Sequence, residues 1–176
     1  MIPYSRIALG RERKSFQESF RLLQIRGNNP VLHRSFIMAF FPLLALLSAF
    51  FYLHRRETID LIQAIFLTFS TGSFYISFYV LPRLKYQQVK LLREEGSVIE
   101  FYGDYIVEHV LGPSVRGYYT YHDTTVQNVF YSKLGFFIVF LNRTCLALPM
   151  QSLSNDQVNY LNTMFKYRYP GKYFSI

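Results

Sequence analysis

Two uncharged apolar runs decide what this chain can fold into. Residues 35–53 (SFIMAFFPLLALLSAFFYL) and 61–81 (LIQAIFLTFSTGSFYISFYVL) contain no Asp, Glu, Lys or Arg, and only HRRETID lies between them. At 1.5 Å rise per residue each run makes a helix of roughly 28–32 Å, the hydrocarbon thickness of a bilayer. A core helix of a soluble protein shows a polar stripe every third or fourth residue, and neither run has one. Burying both runs inside protein would need more chain than the 97–176 segment that follows. The runs therefore predict a two-helix transmembrane hairpin over 35–82.

Composition supports a chain that is part membrane, part soluble. Hydrophobic residues make up 51% of the 176 and charged residues 17%, against roughly 25% charge in an average soluble domain. Mean hydropathy is only +0.10 because the apolar residues are concentrated in one third of the chain. The formal charge of +8 is uneven: net +5 over 1–34, 0 over 54–60, +2 over 83–95 and +1 over 96–176. An excess beside apolar runs is a topology signal, whereas a nucleic-acid binder concentrates it on one face of a domain. The near-neutral C-terminal part argues against phosphate contacts, so no nucleic-acid partner is expected despite 15 Tyr and 18 Phe. A single cysteine, Cys145, excludes an intramolecular disulfide and a multi-cysteine zinc site. Charges precede any apolar run at the N-terminus, so no cleaved signal is expected.

Inside the first run Pro42 removes a backbone hydrogen bond to Met38, which membrane helices tolerate. Ala39, Pro42, Ala45 and Ala49 share a face, as do Ser70, Ser73 and Ser77 with Gly72 nearby. Small residues let helix backbones approach, so these stripes are expected to meet. A pore lined by Gln63, Thr68, Ser70 and Thr71 is the weaker reading, since no charge lies within the span. Lys14, Arg21, Arg26 and Arg34 precede the hairpin and Arg83, Lys85, Lys90 and Arg93 follow it, against Arg55 and Arg56 between the runs. Eight against two predicts both termini in the cytoplasm.

The segment 1–34 contains an amphipathic stretch at 13–26, with Phe16, Phe20 and Leu23 on its apolar face and Lys14, Glu18 and Arg21 elsewhere. It is expected either in the headgroup layer or against the soluble domain. After Pro82, residues 83–96 continue as a juxtamembrane helix until Gly96. Its Arg83, Lys85, Lys90 and Arg93 are candidate lipid-headgroup contacts, with Arg116 or Lys133 as helpers, at ~1 kcal/mol per basic residue.

From 97 onward the pattern alternates. SVIEFYGDYIVEHVLG predicts a hairpin turning at Gly103-Asp104, and GYYTYHD, TTVQNVFYSK, GFFIVFLN and RTCLALPM predict further strands. Ser154 with Gln157 three residues on forms a capping box for a helix with Val158, Leu161 and Phe165 on its apolar face, ended by Pro170-Gly171. The expected fold is a membrane α-helical hairpin plus an α+β soluble domain, 97–176. That domain is a small antiparallel sheet of about six strands with a C-terminal helix covering its open end, a pleckstrin-homology-like arrangement.

Two stretches, RLKYQQVKLLREEGSVIEFYGDYIVEHV and YTYHDTTVQNVFYSKLGFFIVFLNRTCLALPMQSLSNDQVNYLNTMF, together with the hairpin, resemble the YcxB-like family of bacterial membrane proteins. Tyr119, Tyr121, Asp123, Val126, Val129, Phe137, Phe140, Pro149 and the helix from Ser154 follow that family's order. The chain departs from it at His122, where the family often has Trp. The resemblance implies a bacterial inner-membrane address and a cytoplasmic pleckstrin-homology-like domain, and no known reaction.

Chemistry-bearing motifs are few. The four histidines have no metal-binding spacing. His122-Asp123 is the one adjacent imidazole and carboxylate; a turn, with Asp123 accepting local backbone N–H groups, outweighs a catalytic pair. Cys145 reads as a buried strand thiol, and Asn142-Arg143-Thr144 as a sequon unused in the cytoplasm. No catalytic residue, cofactor or metal is expected. The leading reading is a non-enzymatic membrane protein whose cytoplasmic domain binds a protein partner. The alternatives are an anionic-lipid-sensing module and an immunity-type membrane protein.

Overall fold

The computed structural model describes residues 5–9, 12–25, 30–92, 96–111 and 116–176, with side chains described for all of these except 30–31, 89–92 and 116. Helix α1 (Arg13–Gln24) precedes α2 (Pro30–Arg55) and α3 (Thr58–Tyr75). The last two pack along each other as a hairpin, and both are long and apolar enough to cross a bilayer.

The polar link expected over 54–60 is almost entirely helical, because only Arg56 and Glu57 leave the helices. Arg56 adopts a left-handed φ of 59° while its N–H still reaches Tyr52 O at 2.9 Å. That closes α2 and reverses the chain in two residues. Asp60 then sits in the first turn of α3, where the helix dipole favours a carboxylate.

The seam between α2 and α3 matches the small-residue stripes in part. Pro42, Ala45 and Ala49 of α2 and Ser70 of α3 are half-buried, but Ala39, Gly72 and Ser73 face outward. Large residues fill the seam beside the small ones, with the rings of Phe41 and Phe74 5.1 Å apart. The hydroxyls of Thr68, Ser70, Thr71 and Ser73 each donate to the carbonyl four residues earlier in their own helix. Satisfied within their own helix, they add no hydrogen bond across the seam.

Beyond Tyr75 the helix does not stop. A π-helical turn (Ile76–Val80) carries it into α4 (Leu81–Leu92). The cause is Pro82, which has no N–H to give Phe78 O. The ladder widens there, and Leu81 N–H reaches back to Ile76 O.

The described strands form two four-stranded sheets. The first has the order β1 (Ser5–Leu9), β2 (Ser97–Phe101), β3 (Tyr105–Leu111), β4 (Arg116–His122), antiparallel throughout. The second is β7 (Cys145–Pro149), β6 (Gly135–Phe140), β5 (Val126–Ser132), β8 (Tyr173–Ser175). The six strands expected from sequence are β2 to β7. Two more join them: β1, from ahead of the hairpin, pairs with β2, and β8 lies parallel to β5, an exception to the antiparallel expectation. Helix α5 (Asn155–Arg168) opens on the full capping box, with Gln157 N–H to Ser154 Oγ at 3.2 Å and Ser154 N–H to Gln157 Oε1 at 2.9 Å. Its Leu161 and Phe165 are completely buried, packed with Ile99, Phe101, Phe136 and Leu148.

Strand β6, GFFIVF, is buried at every position, as a strand covered on both faces must be. Phe136, Ile138 and Phe140 point into the core under α5. Phe137 and Val139 point the other way and meet Leu22 of α1. The two-residue turn into β6 requires Gly135: at its φ of 137° an added Cβ would lie 2.0 Å from Leu148 O.

Helix α1 thus settles the choice between headgroup layer and protein: it packs on the sheet. The buried face is not the one expected. Ser15, Glu18, Ser19 and Leu22 are buried, whereas Phe16, Phe20 and Leu23 are half-buried. Serines allow close approach to the strands, and Phe16 turns to the ring of Tyr86 in α4, 5.6 Å away.

Candidate binding cleft at the junction of hairpin and sheet

Glu18 is where α1 ties the hairpin to the sheet. Its carboxylate, nearly buried, takes Arg34 of α2 at 3.0 Å on one oxygen and Arg21 at 3.2 Å on the other. Two cations offset the desolvation that makes a buried lone carboxylate costly. Arg21 also donates through Nε to Phe78 O at 2.9 Å, the carbonyl left without a partner by Pro82. Its guanidinium lies 4.9 Å from the ring centre of Tyr79. Gln24 Nε2 donates to Ser77 O at 3.1 Å. One face of α1 therefore satisfies the irregular turn that follows α3 while the adjoining face covers β6 and β7.

Beside this clamp lies a cleft of about 900 Å³. Leu22, Leu23, Phe74 and Phe78 form apolar walls, and Phe130, Val139 and Leu141 continue them on the sheet. Gln127, Asn128 and Arg143 also line it, and among the described residues no acidic side chain does. Gln127 is the extra residue of a β-bulge, where the register slips between Val126 and Asn128. Arg143 holds a left-handed φ of 64° in the β6–β7 turn, supported by Asn142 Oδ1, which accepts from Thr144 N–H at 3.0 Å and from its hydroxyl at 2.7 Å. A left-handed arginine is uncommon, and bulges re-aim side chains beside functional sites. Arg143 makes no ion pair among the described residues.

The residues picked out by sequence fall elsewhere. Arg83 and Lys85 are exposed near the start of α4 and do not line the cleft, while the side chains of Lys90, Arg93 and Arg116 lie outside the described residues. Lys133 is exposed in the β5–β6 turn, also away from the cleft. Two of the arginines counted for topology, Arg21 and Arg34, are in fact ion-paired.

Asp123 does not accept local N–H groups as expected, nor does it hydrogen-bond to His122. Its carboxylate is gripped by Arg168 through Nε and, at 2.6 Å, a second nitrogen, and it accepts from Tyr169 OH at 2.8 Å. Arg168 donates a further bond to Tyr102 O at 2.7 Å. This fork pins the crossing between the two sheets to the end of α5, a positioning task suited to bidentate arginine. Burial and the bond to Asp123 push the Tyr169 hydroxyl far above its usual range. Exposed His122 leans toward the ring of Tyr105.

Cys145 is half-buried as a residue, but its thiol sits under α1 beside the Ser19 hydroxyl, and burial pushes it to about 12. A thiol so protonated is a poor nucleophile. On the outer face of the first sheet, Glu100 accepts from Tyr102 OH at 2.9 Å and faces His109 at 3.2 Å and Arg6 at 3.4 Å. The tyrosine bond, first among these, holds the Glu100 carboxyl below its usual range.

Comparison with family models, curated proteins and solved structures finds no match for this chain. The cleft residues Gln127, Asn128 and Arg143 carried no functional signal in the sequence. Arg143 stood out only as the middle of an unused sequon, and a bulge leaves no trace in an alternating pattern.

Proposed function

We propose that the chain is a non-enzymatic protein of the bacterial inner membrane, related to the YcxB-like family. On this reading α2 and α3 cross the bilayer with both termini cytoplasmic and hold a pleckstrin-homology-like domain at the membrane for a protein partner. The observation that carries it is the clamp of α1, which fastens the sheet domain to one end of an apolar hairpin. A domain merely tethered would need no such fastening. The succession of two three-strand meanders, β2 to β4 and β5 to β7, and a capped helix supports the pleckstrin-homology-like reading. Exposed Tyr118 on β4 and Tyr167 on α5 supply the rigid amphipathic side chains that protein interfaces favour.

The test is photo-crosslinking in living bacteria from positions 118 and 167. Discrete protein adducts of the full chain are expected, missing from cells kept dark and from a full chain that carries the photoreactive residue at exposed Glu57 of the hairpin link instead. Adducts from 118 and 167 no different from those at position 57 reject the protein-partner role.

The lipid-sensing alternative draws on exposed Arg83 and Lys85 immediately after Pro82, where an anionic leaflet would lie. Replacing both with Gln is expected to weaken binding to anionic vesicles and leave binding to neutral ones unchanged.

A further inference from the structure

We propose that the cleft between α1, the π-helical turn and the β5–β6 surface binds an anionic membrane amphiphile. Its head reaches Arg143, and its upper chains lie against Phe74 and Phe78. The proposal rests on the membrane-anchored reading above but not on the protein partner.

Position comes first. Phe78 lies twenty residues beyond Thr58, at roughly 30 Å along a helical rise of 1.5 Å per residue, the thickness of the hydrocarbon layer. The cleft therefore opens where the second span leaves the lipid, with Phe74 and Phe78 of that span in its lining. A molecule can enter sideways from the bilayer without crossing water.

Chemistry comes second. The membrane-helix side of the cleft is mostly apolar, and the sheet side adds two amides and a guanidinium. The side chains of Gln127, Asn128 and Arg143 form no hydrogen bond within the described protein. With Arg143 and no carboxylate among the described lining residues, the field favours a negative head. A volume of about 900 Å³ is that of a small-molecule site and suits a head with the first part of its chains.

Local geometry comes third. The bulge at Gln127 and the left-handed Arg143 are two departures from regular structure that converge on one cleft. Strained backbone gathers at ligand sites because such sites require fixed, unusual directions.

The experiment uses the full chain in vesicles carrying a phospholipid with a photoreactive acyl chain, either phosphatidylglycerol or phosphatidylcholine, with adducts mapped by mass spectrometry. Labelling within 22–25 and 74–78 is expected to be roughly tenfold stronger with phosphatidylglycerol, the size of one charge-assisted hydrogen bond. Arg143→Glu and Arg143→Gly are both expected to reduce it to the phosphatidylcholine level. The glycine variant relaxes the left-handed turn, so a loss there does not come from a disturbed fold. Excess water-soluble glycerol phosphate is expected to leave the labelling intact.

Equal labelling by both lipids, or labelling unchanged in both variants, overturns the proposal. So does competition by the soluble phosphate, which would place the ligand outside the membrane. A chain that labels only around Phe66 and Phe69 loses the cleft but keeps its anchor. A chain that does not stay with the vesicles loses both.

Discussion

Phe69 in α3 is 76% exposed and Phe165 in α5 is 0% exposed. The two belong to regions that are both rich in aromatic and aliphatic residues but use them in opposite ways. In the sheet domain, α5 and the strands enclose Phe101, Phe136 and Phe165 completely. In the hairpin each helix hides one seam and presents Leu46, Phe66 and Phe69 outward. Hydrophobicity alone thus does not decide burial. The sheet domain buries its apolar groups in protein, whereas the hairpin leaves its own exposed over a length and composition that suit an apolar solvent. Paired truncations test this with the largest expected effect. Phe165→Ala is expected to lower stability by about 3–5 kcal/mol, while Phe69→Ala in detergent or lipid changes it by less than about 1 kcal/mol. Equal losses, read from denaturant midpoints, would mean that Phe69 also sits in a protein interior, and the contrast would fail.

A charge sharpens the same contrast from the other side. Leu46→Asp places a carboxylate in the middle of the first run, where insertion becomes less favourable by roughly 2.5–3.5 kcal/mol. Tyr118→Asp, on the exposed surface of β4, stays within about 0.5 kcal/mol of neutral. The carbonate-resistant membrane fraction reports the first change and thermal melting the second. A Leu46→Asp chain retained in membranes as well as the parent would show that α2 does not span.

The boundary between the regions is expected to give a smaller effect. Arg21→Ala leaves Phe78 O without a donor and Glu18 with one cation instead of two. The expected loss is about 1–3 kcal/mol, confined to the junction. Hydrogen exchange should quicken in 76–82 and along α1 while β5 to β7 stay protected. Uniform loosening of the sheet would instead make α1 part of its core and remove the boundary.

These effects follow how legible each region was in the sequence. Long uncharged runs and a capping box depend on neighbours in the chain, so the hairpin and the start of α5 could be read directly. Strand alternation located β2 to β7 for the same reason. What escaped depends on contacts far apart in sequence. β1 pairs across the whole hairpin, Arg21 reaches Phe78, and Asp123 turns from its own loop to Arg168. The buried face of α1 was misread because Glu18 counts as solvent-facing until two arginines from different helices surround it. The cleft was hidden because its shape comes from a bulge and one dihedral angle.

Cys145 carries the smallest of these predictions, and it concerns only the sheet side. Well below pH 9 the thiol is protonated in the folded and unfolded chain alike, so its titration does not affect stability there. Above pH 9.0, its ordinary value, the unfolded chain releases the proton while the folded one holds it to about 12. Stability must fall over that interval, by about 1 kcal/mol per pH unit at first. Tyr173, which burial raises to about 12, and Tyr169 begin to contribute below pH 10 and take over above it. Cys145→Ala should therefore remove about 1 kcal/mol of the loss between pH 9 and 10 while leaving the tyrosine part and the steeper fall beyond. The hairpin contains no cysteine, so its protease resistance in vesicles should not change across the same interval. If Cys145→Ala keeps the full alkaline slope between pH 9 and 10, the thiol is open to water, and α1 does not cover the strands as tightly as Leu22 and Ser19 require.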